Sequence, residues 1–564
     1  MSETPTPRSE QNLAETVSRL EQRLARLERH LQLPPLAPIA TAPAARVDAV
    51  PPPAPPAHLA PVTLAQNEEE LEFVVGQNWF AGVGVLVLTC GVGIALSLPW
   101  ASLPPIAPAL IGYGLVLVLL LVAHFWEKSF ELVAGYMRAA GMTLLFFSTL
   151  RLYFFGTTPV LEIDSMGGRL LLLGVVAANL AVALRQKSPW LIGLALITGL
   201  VTAVAVGTPF FVFASIALLS GLAAFAAVRH SWPGLLLFAI PAGYTAHLLW
   251  LINRPWSGRT FKLQTEPVAG LYLVLAYTVL LAVGSLLRRE RKGEDPFTVS
   301  SVLLNCGAGY GLFLLQSLRM EPGLFTPAHL TAALVYLGLA VAFWRSEASR
   351  ISTFFYAMTG YLALSVAIVR TFPSPEVFIW LSGQSLVVVV TALWFRSRLI
   401  IVANFFIYVS IVLAYMVIAR TETGISLGFG IVALLSARIL SWKKERLELK
   451  TELMRNAYLA SAFVVFPYAL YHLVPRVYVS LSWVGVAVAY YLMNLIVRNP
   501  KYRWMGHLTL LLTVVYVVVI GVTQLAPAYR ILSFLVLGTV LVVVSLIFTR
   551  VRSRRKRAGG DQAA

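Results

Sequence analysis

The sequence predicts an all-α polytopic membrane protein of about 18 transmembrane helices, arranged in consecutive hairpins that could stack like a solenoid and preceded by a short coiled coil. Three observations predict this fold class. Of the 564 residues 12% are charged and 58% hydrophobic, whereas a soluble domain carries roughly 25% charged residues. Apolar runs of about 20 residues recur, which is the length a helix needs to cross the hydrocarbon core. Cationic residues concentrate in the short loops between these runs, where they act as signals that orient the spans in the membrane.

Charge and cysteine content exclude several other classes of protein. The net charge of +18 lies in loops rather than on a basic soluble domain, so the expected partner is the lipid bilayer and not nucleic acid. The two cysteines, Cys90 and Cys306, both lie in apolar runs, so we predict no disulfide framework, no metal and no cofactor. Because the start of this chain is polar, we expect no cleavable signal peptide and expect the first span to act as an uncleaved anchor.

The first predicted helix covers residues 10–32, after a disordered segment at 1–9. Its apolar positions alternate spacings of four and three, which is typical of a coiled-coil seam. An isolated helix of about three heptads is only marginally stable, so we predict self-association or a partner coiled coil. The alternative is an amphipathic helix that docks on its own membrane domain. The seam consists of Leu13, Val17, Leu20, Leu24, Leu27 and Leu31.

A proline- and alanine-rich linker is predicted at residues 33–66. Proline removes a backbone donor and clashes with the preceding helical turn, so PPLAPIATAPAA and PPPAPPAHLAP predict an extended spacer. A polyproline ligand for a partner domain is the alternative.

The polytopic membrane domain is predicted at residues 67–549, followed by a basic cytoplasmic tail at 550–564. The predicted spans are 80–99, 104–125, 130–154, 168–184, 188–206, 209–228, 233–252, 266–288, 297–317, 327–345, 351–370, 375–395, 398–419, 424–440, 453–472, 478–497, 502–524 and 530–549.

The orientation of these spans follows from the distribution of lysine and arginine. If the amino terminus is inside, the inner loops and the tail carry 26 of these residues and the outer loops carry 9. Because cytoplasmic loops are enriched in cations, we predict a bacterial inner-membrane protein with both termini in the cytoplasm.

The basic turns also indicate an internal repeat, because they recur roughly every fifty residues. A fixed period of supersecondary units favours stacked neighbours, although any series of hairpins would show similar spacing. Three units look alike: WRSEASRISTFFYAMTGYLALSVAIVRTFP, WFRSRLIIVANFFIYVSIVLAYMVIARTETG and IVRNPKYRWMGHLTLLLTVVYVVVIGVTQLAP.

Charged side chains inside a span are candidate functional groups, because they are costly at bilayer depth. We predict that no acidic residue lies deep in a span, which argues against a carboxylate relay. Arg138 is a candidate anion or lipid-phosphate contact, with Glu131 on the same helix face as its counter-ion. The alternative is an arginine that snorkels to the inner interface. We also expect Arg151 and Arg438 to snorkel.

Uncharged polar residues in the spans are further weak candidates. Each could line a polar cavity or bridge two helices by a hydrogen bond. His247 and His507 could act as catalytic acid or base groups if they face one cavity. Sequences typical of zinc proteases, phosphate-binding loops and serine hydrolases do not occur. The candidate ligand-binding residues in this group are Asn179, Asn305, Gln384, Asn404 and Asn494.

The membrane domain opens with the stretch EFVVGQNWFAGVGVLVLTCGVGIALSL, which includes Glu72, Gly76, Trp79 and Gly84. This stretch resembles the start of a bacterial family of polytopic membrane proteins, domain of unknown function 2339. YMRAAGMTLLFFSTLRLYFFG is similar to its third helix, and ALRQKSPWLIGLALITGLVTAVAVG to its next hairpin. The matches cover 72–206. The resemblance implies a coiled coil, a linker and many spans, but no activity.

These observations predict a non-enzymatic protein of the cell envelope, which translocates a lipid or polymer or acts as a scaffold. One alternative is a membrane-embedded transferase acting on a lipid-linked substrate through His247 or His507. Another is a secondary transporter. Clustering of the polar candidates around one cavity would favour the alternatives, whereas separate helix-bridging positions would favour the scaffold.

Overall fold

A computed structural model describes most of the predicted membrane domain. The described residues are 80–98, 100, 103–155, 158–163, 165–252, 268–287, 294–347, 349–418, 424–442, 452–521 and 527–560. The predicted coiled coil and linker lie outside these residues.

The described residues form eighteen α-helices and contain no strand, and each predicted span corresponds in order to one helix. The predicted all-helical class and the number of helices are therefore confirmed. The helices are α1 (Phe80–Ser97), α2 (Ala107–Phe125), α3 (Glu131–Leu150), α4 (Met166–Gln186), α5 (Pro189–Val206), α6 (Pro209–His230), α7 (Pro233–Leu251), α8 (Val268–Leu286), α9 (Pro296–Ser317), α10 (Pro322–Arg345), α11 (Arg350–Thr371), α12 (Val377–Trp394), α13 (Arg398–Ile418), α14 (Ile425–Trp442), α15 (Glu452–Leu473), α16 (Val479–Val497), α17 (Pro500–Tyr516) and α18 (Pro527–Gly560).

Helix ends differ from the prediction at the proline-containing start of α10 and at the basic tail that follows the last apolar run. The tenth span was predicted to start at Pro327, but α10 starts at Pro322 and continues through Pro327. Pro322 occupies the first turn, where the backbone amides have no intrahelical acceptor, whereas Pro327 lies inside the helix and removes one backbone hydrogen bond. At the other end of the chain, α18 continues past the predicted span into the basic tail and ends at Gly560.

Fifteen of the described helices are long and apolar enough to cross a membrane. Two shorter apolar helical segments, Val83–Ser97 in α1 and Ile425–Ser441 in α14, have the same character. The remaining helix, α15, begins with the polar residues Glu452, Arg455 and Asn456. By length and composition, the described chain is therefore a series of helices suited to a bilayer.

The helices pack as a stack that follows the order of the chain. In the described part, every extensive contact joins helices that are first or second neighbours in sequence. The odd-numbered helices form an unbroken row from α1 to α17, because each contacts the next odd-numbered helix. Even-numbered helices make the same type of contact at α6–α8, α8–α10, α12–α14 and α16–α18. This pattern is typical of repeat proteins whose units contact only their neighbours.

Burial is greater inside the stack than near its ends. In α5, 61% of the apolar window is buried, whereas the value is 28% in α2 and 11% in α18. Helices near the ends have fewer neighbours, so more of their apolar surface faces outward.

Five short turns in the stack share a left-handed backbone residue. Lys187, Ser231, Glu347, Arg396 and Arg498 have φ between 48° and 56°. Each lies between an even-numbered helix and the following odd-numbered helix, in a turn that the charge pattern places on the inner side. Non-glycine residues seldom adopt this conformation, so its recurrence in five turns supports a repeated hairpin unit.

Candidate functional site

One buried amide in α9 connects four helices. The Oδ1 atom of Asn305 accepts a hydrogen bond from the Tyr244 hydroxyl of α7 at 2.7 Å. Its Nδ2 donates to the carbonyl oxygen of Thr278 in α8 at 2.9 Å and to the Tyr356 hydroxyl of α11 at 3.1 Å. All four residues are buried. Because a buried polar group without partners is costly, these bonds favour one arrangement of the four helices.

His247 makes a second link between α7, α8 and α9. Its Nδ1 is hydrogen-bonded to the Tyr277 hydroxyl of α8, and its Nε2 to the side-chain amide of Gln316 in α9. The imidazole is fully buried and stacks on Phe213 with ring centroids 4.8 Å apart. Since both ring nitrogens have protein partners, this geometry suits a helix link better than acid–base catalysis, which requires a nitrogen within reach of the substrate.

A second buried histidine, His329 in α10, was missed by the sequence analysis. Its Nδ1 is 3.1 Å from the Tyr310 hydroxyl and its Nε2 is 2.9 Å from Ser317 Oγ, both in α9. The predicted span began at Pro327 and so placed His329 at the interface, where histidine is unremarkable. Because α10 starts at Pro322, His329 lies a turn deeper and is buried. The signal was the run PGLFTPAH, in which the first proline begins the helix.

Asn404 in α13 repeats the arrangement of Asn305. Its Nδ2 lies 3.0 Å from the carbonyl oxygen of Ser385 and 2.9 Å from Ser385 Oγ, in the preceding helix α12. The same nitrogen donates to the Tyr458 hydroxyl at 3.0 Å, two helices further along. Each asparagine thus bonds the preceding helix and a tyrosine of the next odd-numbered helix. Tyr356, Asn404 and Tyr458 are each the seventh residue of their helices.

Two further candidates bond a backbone carbonyl of a neighbouring helix. Gln384 of α12 donates from Nε2 to the carbonyl oxygen of Tyr361 in α11 at 2.7 Å and accepts a bond from Ser365 Oγ at 3.1 Å. Asn179 of α4 donates from Nδ2 to the carbonyl oxygen of Met142 in α3 at 3.2 Å. Both side chains are buried.

The two candidates nearest the carboxyl terminus are less buried. His507 of α17 is partly buried, and its Nδ1 lies 2.7 Å from the Tyr491 hydroxyl of α16. Asn494 is partly exposed on α16. His507 and His247 lie ten helices apart in the stack and do not face one cavity in the described part.

Arg138 binds a carboxylate, but this is not the predicted Glu131. Its Nη2 lies 2.8 Å from Glu127 Oε2, and its Nη1 donates to Gln186 Oε1 at 3.1 Å. The Arg138 side chain can reach both partners because a helical side chain points back toward the amino terminus of its helix. That end of α3 is the one that the charge pattern places inside. Glu131 is exposed in the first turn of α3. The contacts suit an arginine that snorkels and ties the α2–α3 turn to the end of α4.

Arg151, which we expected to snorkel, is instead buried, with 4% of its surface exposed. Its Nε donates to the carbonyl oxygen of Leu96 at 2.6 Å, and its Nη2 to that of Leu98 at 3.4 Å. Its Nη1 donates to the carbonyl oxygen of Phe154 at 3.3 Å. The carbonyl of Leu96, in the last turn of α1, lacks an intrahelical donor and lies at the negative end of the helix dipole, so it attracts the guanidinium. Arg438 is exposed near the end of α14.

The predicted candidates lie in four separate groups of the described structure. These are Arg138, Glu131 and Asn179 on α3–α4, His247 and Asn305 on α7–α9, Gln384 and Asn404 on α12–α13, and Asn494 and His507 on α16–α17. Within the described ranges, no group of three or more histidine, cysteine or acidic residues could hold a metal ion. The arrangement therefore joins helices rather than forming one reactive centre.

Comparisons with protein-family models, curated proteins and solved structures found no match. The resemblance of residues 72–206 to the bacterial family stays a prediction.

Proposed function

We propose that the chain is an integral protein of the bacterial inner membrane that crosses the bilayer eighteen times. Fifteen helices have the length and hydropathy of spans. Large apolar side chains point outward along the stack, with Trp190 87%, Leu218 74% and Leu334 72% exposed. A soluble monomer seldom exposes large contiguous apolar patches, whereas lipid would cover such a surface.

The bias of 26 cations on the inner side to 9 on the outer side supports a cytoplasmic location for both termini. Reporter fusions after residues 60 and 557 should both indicate the cytoplasm, and a fusion after residue 160 should indicate the periplasm. If the fusions after residues 60 and 557 indicated opposite sides, the proposed number of spans would be wrong by an odd number.

We further propose that the membrane domain is a scaffold without enzymatic activity, and that its coiled coil recruits a second copy or a partner. The observation that carries this proposal is the use of the buried polar side chains. Asn179, His247, Asn305, Gln384 and Asn404 all bond a neighbouring helix. Such bonds stabilise a stack whose helices contact only first and second neighbours.

The alternatives use the same residues differently. Translocation of a lipid or polymer, or secondary transport, would need polar groups that line a route across the membrane. A transferase acting on a lipid-linked substrate would need His247 or His507 to reach that substrate. Both histidines bond tyrosine hydroxyls of neighbouring helices, and His247 also bonds Gln316, an arrangement that favours the scaffold.

We also propose membership in the bacterial family that residues 72–206 resemble. The helical stack and the many apolar helices suit that family's implied architecture. Membership would add a bacterial origin but no activity.

The scaffold proposal is tested by the seam at residues 10–32. Leu20→Asp with Leu24→Asp places two charges in the seam and should abolish cross-linking of the protein to itself or to a partner in intact cells. The matched control is Gln22→Asp with Ala25→Asp, which adds the same charges at outer heptad positions and should leave cross-linking unchanged. Equal cross-linking yields for the two double variants, at equal protein level in the membrane, would contradict the proposed recruitment.

A further inference from the structure

A groove with a volume of about 680 Å³ lies between α1 and α3 at the amino-terminal end of the stack. Its lining includes Cys90 and Gly93 of α1, Tyr136 and Phe147 of α3, and Leu194 of α5. The volume falls within the roughly 300–1,000 Å³ range of small-molecule sites. None of the polar side chains described as helix links lines this groove, so it has no part in the proposed scaffold.

The groove is apolar along its length. Its hydroxyl groups include those of Thr89, Ser97 and Thr143. Each of these donates to a backbone carbonyl one turn earlier in its own helix, at 2.7 to 2.8 Å. An apolar occupant would therefore not leave these hydroxyl groups without a partner.

The length of the groove matches one leaflet of a bilayer. On α1 its lining residues extend from Val85 to Ser97, which is about 18 Å of helix axis. Half of a hydrocarbon core measures about 15 Å. In the proposed topology α1 runs from the inside to the outside, so Ser97 lies at the outer end of the groove.

A buried cation lies at this same outer end. Arg151 donates to the carbonyl oxygens of Leu96 and Leu98, on either side of the groove residue Ser97. It also donates to Phe154, next to the groove residue Phe155. Within the described residues no carboxylate lies within ion-pair distance of Arg151. Its positive charge is therefore offset only by backbone dipoles and remains attractive to an anion.

We propose that this groove binds an outer-leaflet lipid with an anionic phosphate head group. One hydrocarbon chain of the lipid lies between α1 and α3, and the phosphate lies at the outer end, where the charge of Arg151 attracts it. This inference depends on the proposed membrane topology but not on the scaffold function, because it concerns binding to the purified protein.

The test uses the purified full chain, stripped of lipid in detergent, and phosphatidylglycerol that carries a photoactivatable group in its chain. Cross-links mapped by mass spectrometry should lie on α1 and α3. Excess unlabelled phosphatidylglycerol should compete, whereas diacylglycerol with the same chains should compete about tenfold less well, because it lacks the charge. Competition in the wild-type protein requires no variant to fold.

Two glycine variants of α1 provide a matched pair. Gly93 lies in the groove, and a Cβ added there would meet Phe147 at 4.0 Å. Gly91 is exposed, and a Cβ there would meet nothing within 4 Å. Gly93→Leu should reduce the cross-linking yield about tenfold, because overpacking a filled groove is unfavourable. Gly91→Leu should leave the yield unchanged.

Several results would overturn the proposal. Absence of cross-links to α1 and α3 in the wild-type protein would mean that the groove does not bind this lipid. Equal competition by diacylglycerol would exclude recognition of the phosphate. Equal yields for Gly93→Leu and Gly91→Leu would place the lipid elsewhere. None of these results would alter the cross-linking test of the coiled coil.

Discussion

The helices α7–α11 and the first helix of the stack, α1, are held in place by different kinds of contact. In the first region, Asn305, His247 and His329 bond side chains of four neighbouring helices. In the second, α1 packs on α2 and α3 through apolar side chains such as Leu96, Val116 and Leu144. Its polar link to α3 is Arg151, which binds backbone carbonyls rather than side chains.

This difference shows how a linear stack of helices can combine a rigid middle with an end that has room for the proposed lipid. Hydrophobic burial does not drive helix association within lipid, so directional hydrogen bonds and close packing must specify the arrangement. The region α7–α11 uses these bonds, which engage the side chains of Asn305, His247 and His329. The region α1–α3 lies at one end of the stack and keeps an open apolar groove. The predictions below test this contrast, beginning with the largest effect.

Asn305→Ala should lower the free energy of unfolding by about 2 kcal/mol, because Tyr244 and Tyr356 each lose a buried partner. Asn494→Ala is the control, since Asn494 is partly exposed on α16, and should cost less than about 0.5 kcal/mol. Unfolding of the purified protein in mixed dodecyl sulfate micelles measures both values. Equal losses would show that Asn305 does not hold the helices together.

Two arginines of the α1–α3 region should respond differently to replacement by lysine. Arg151→Lys should lower the free energy of unfolding by about 1.5 kcal/mol, because an ammonium group cannot reach three carbonyls as a planar guanidinium does. Arg138→Lys should cost less than about 0.5 kcal/mol, because its partner Glu127 is exposed. The same micelle titration compares the variants. A larger loss for Arg138→Lys would mean that the planar guanidinium of Arg138 is needed to hold Glu127 and Gln186.

His247→Phe should lower the free energy of unfolding by about 1 kcal/mol, since Tyr277 and Gln316 would lose a buried partner while the ring volume is retained. His507→Phe should cost about 0.5 kcal/mol, because His507 is only partly buried. Wild-type stability of His247→Phe, together with loss of a deletion-complementing activity, would support the transferase alternative instead.

The smallest predicted effect compares two buried tyrosines. Tyr356→Phe removes the hydroxyl that accepts from Asn305 and should cost about 0.6 kcal/mol. Tyr336 is also fully buried, but its hydroxyl has no hydrogen-bond partner among the described residues. Tyr336→Phe should therefore leave the free energy of unfolding unchanged or raise it slightly. The reverse order of the two variants would contradict the assigned hydrogen bonds.

The helices could be predicted from the sequence because apolar runs and basic turns set their number and order. The hydrogen-bond partners of the buried polar side chains could not be predicted, since they depend on which helices pack against each other. The charge pattern suggested the repeat, but only the structure shows that Asn305 and Asn404 occupy similar positions. Arg138 pairs with Glu127 and not with its candidate counter-ion Glu131, because its side chain extends back beyond the first turn of α3.

The errors at single positions have similar physical causes. Pro327 was taken as a helix start, although α10 begins at Pro322 and continues through Pro327, and His329 was therefore overlooked. Arg151 was expected to reach the interface, but the carbonyl of Leu96 at the end of α1 provides a nearer acceptor. Neither carbonyl positions nor groove volumes leave a pattern in the sequence.

The central claim is that the buried polar side chains join helices and do not line a water-filled route. Cys306 tests it directly, because it is buried beside Asn305 in α9. The test uses a membrane-impermeant maleimide on a Cys90→Ser protein, in vesicles of both orientations. The positive control, Glu162→Cys with Cys306→Ser in the same background, lies in an exposed outer turn. The account predicts that the control is modified and Cys306 is not; modification of Cys306 from either side would contradict it.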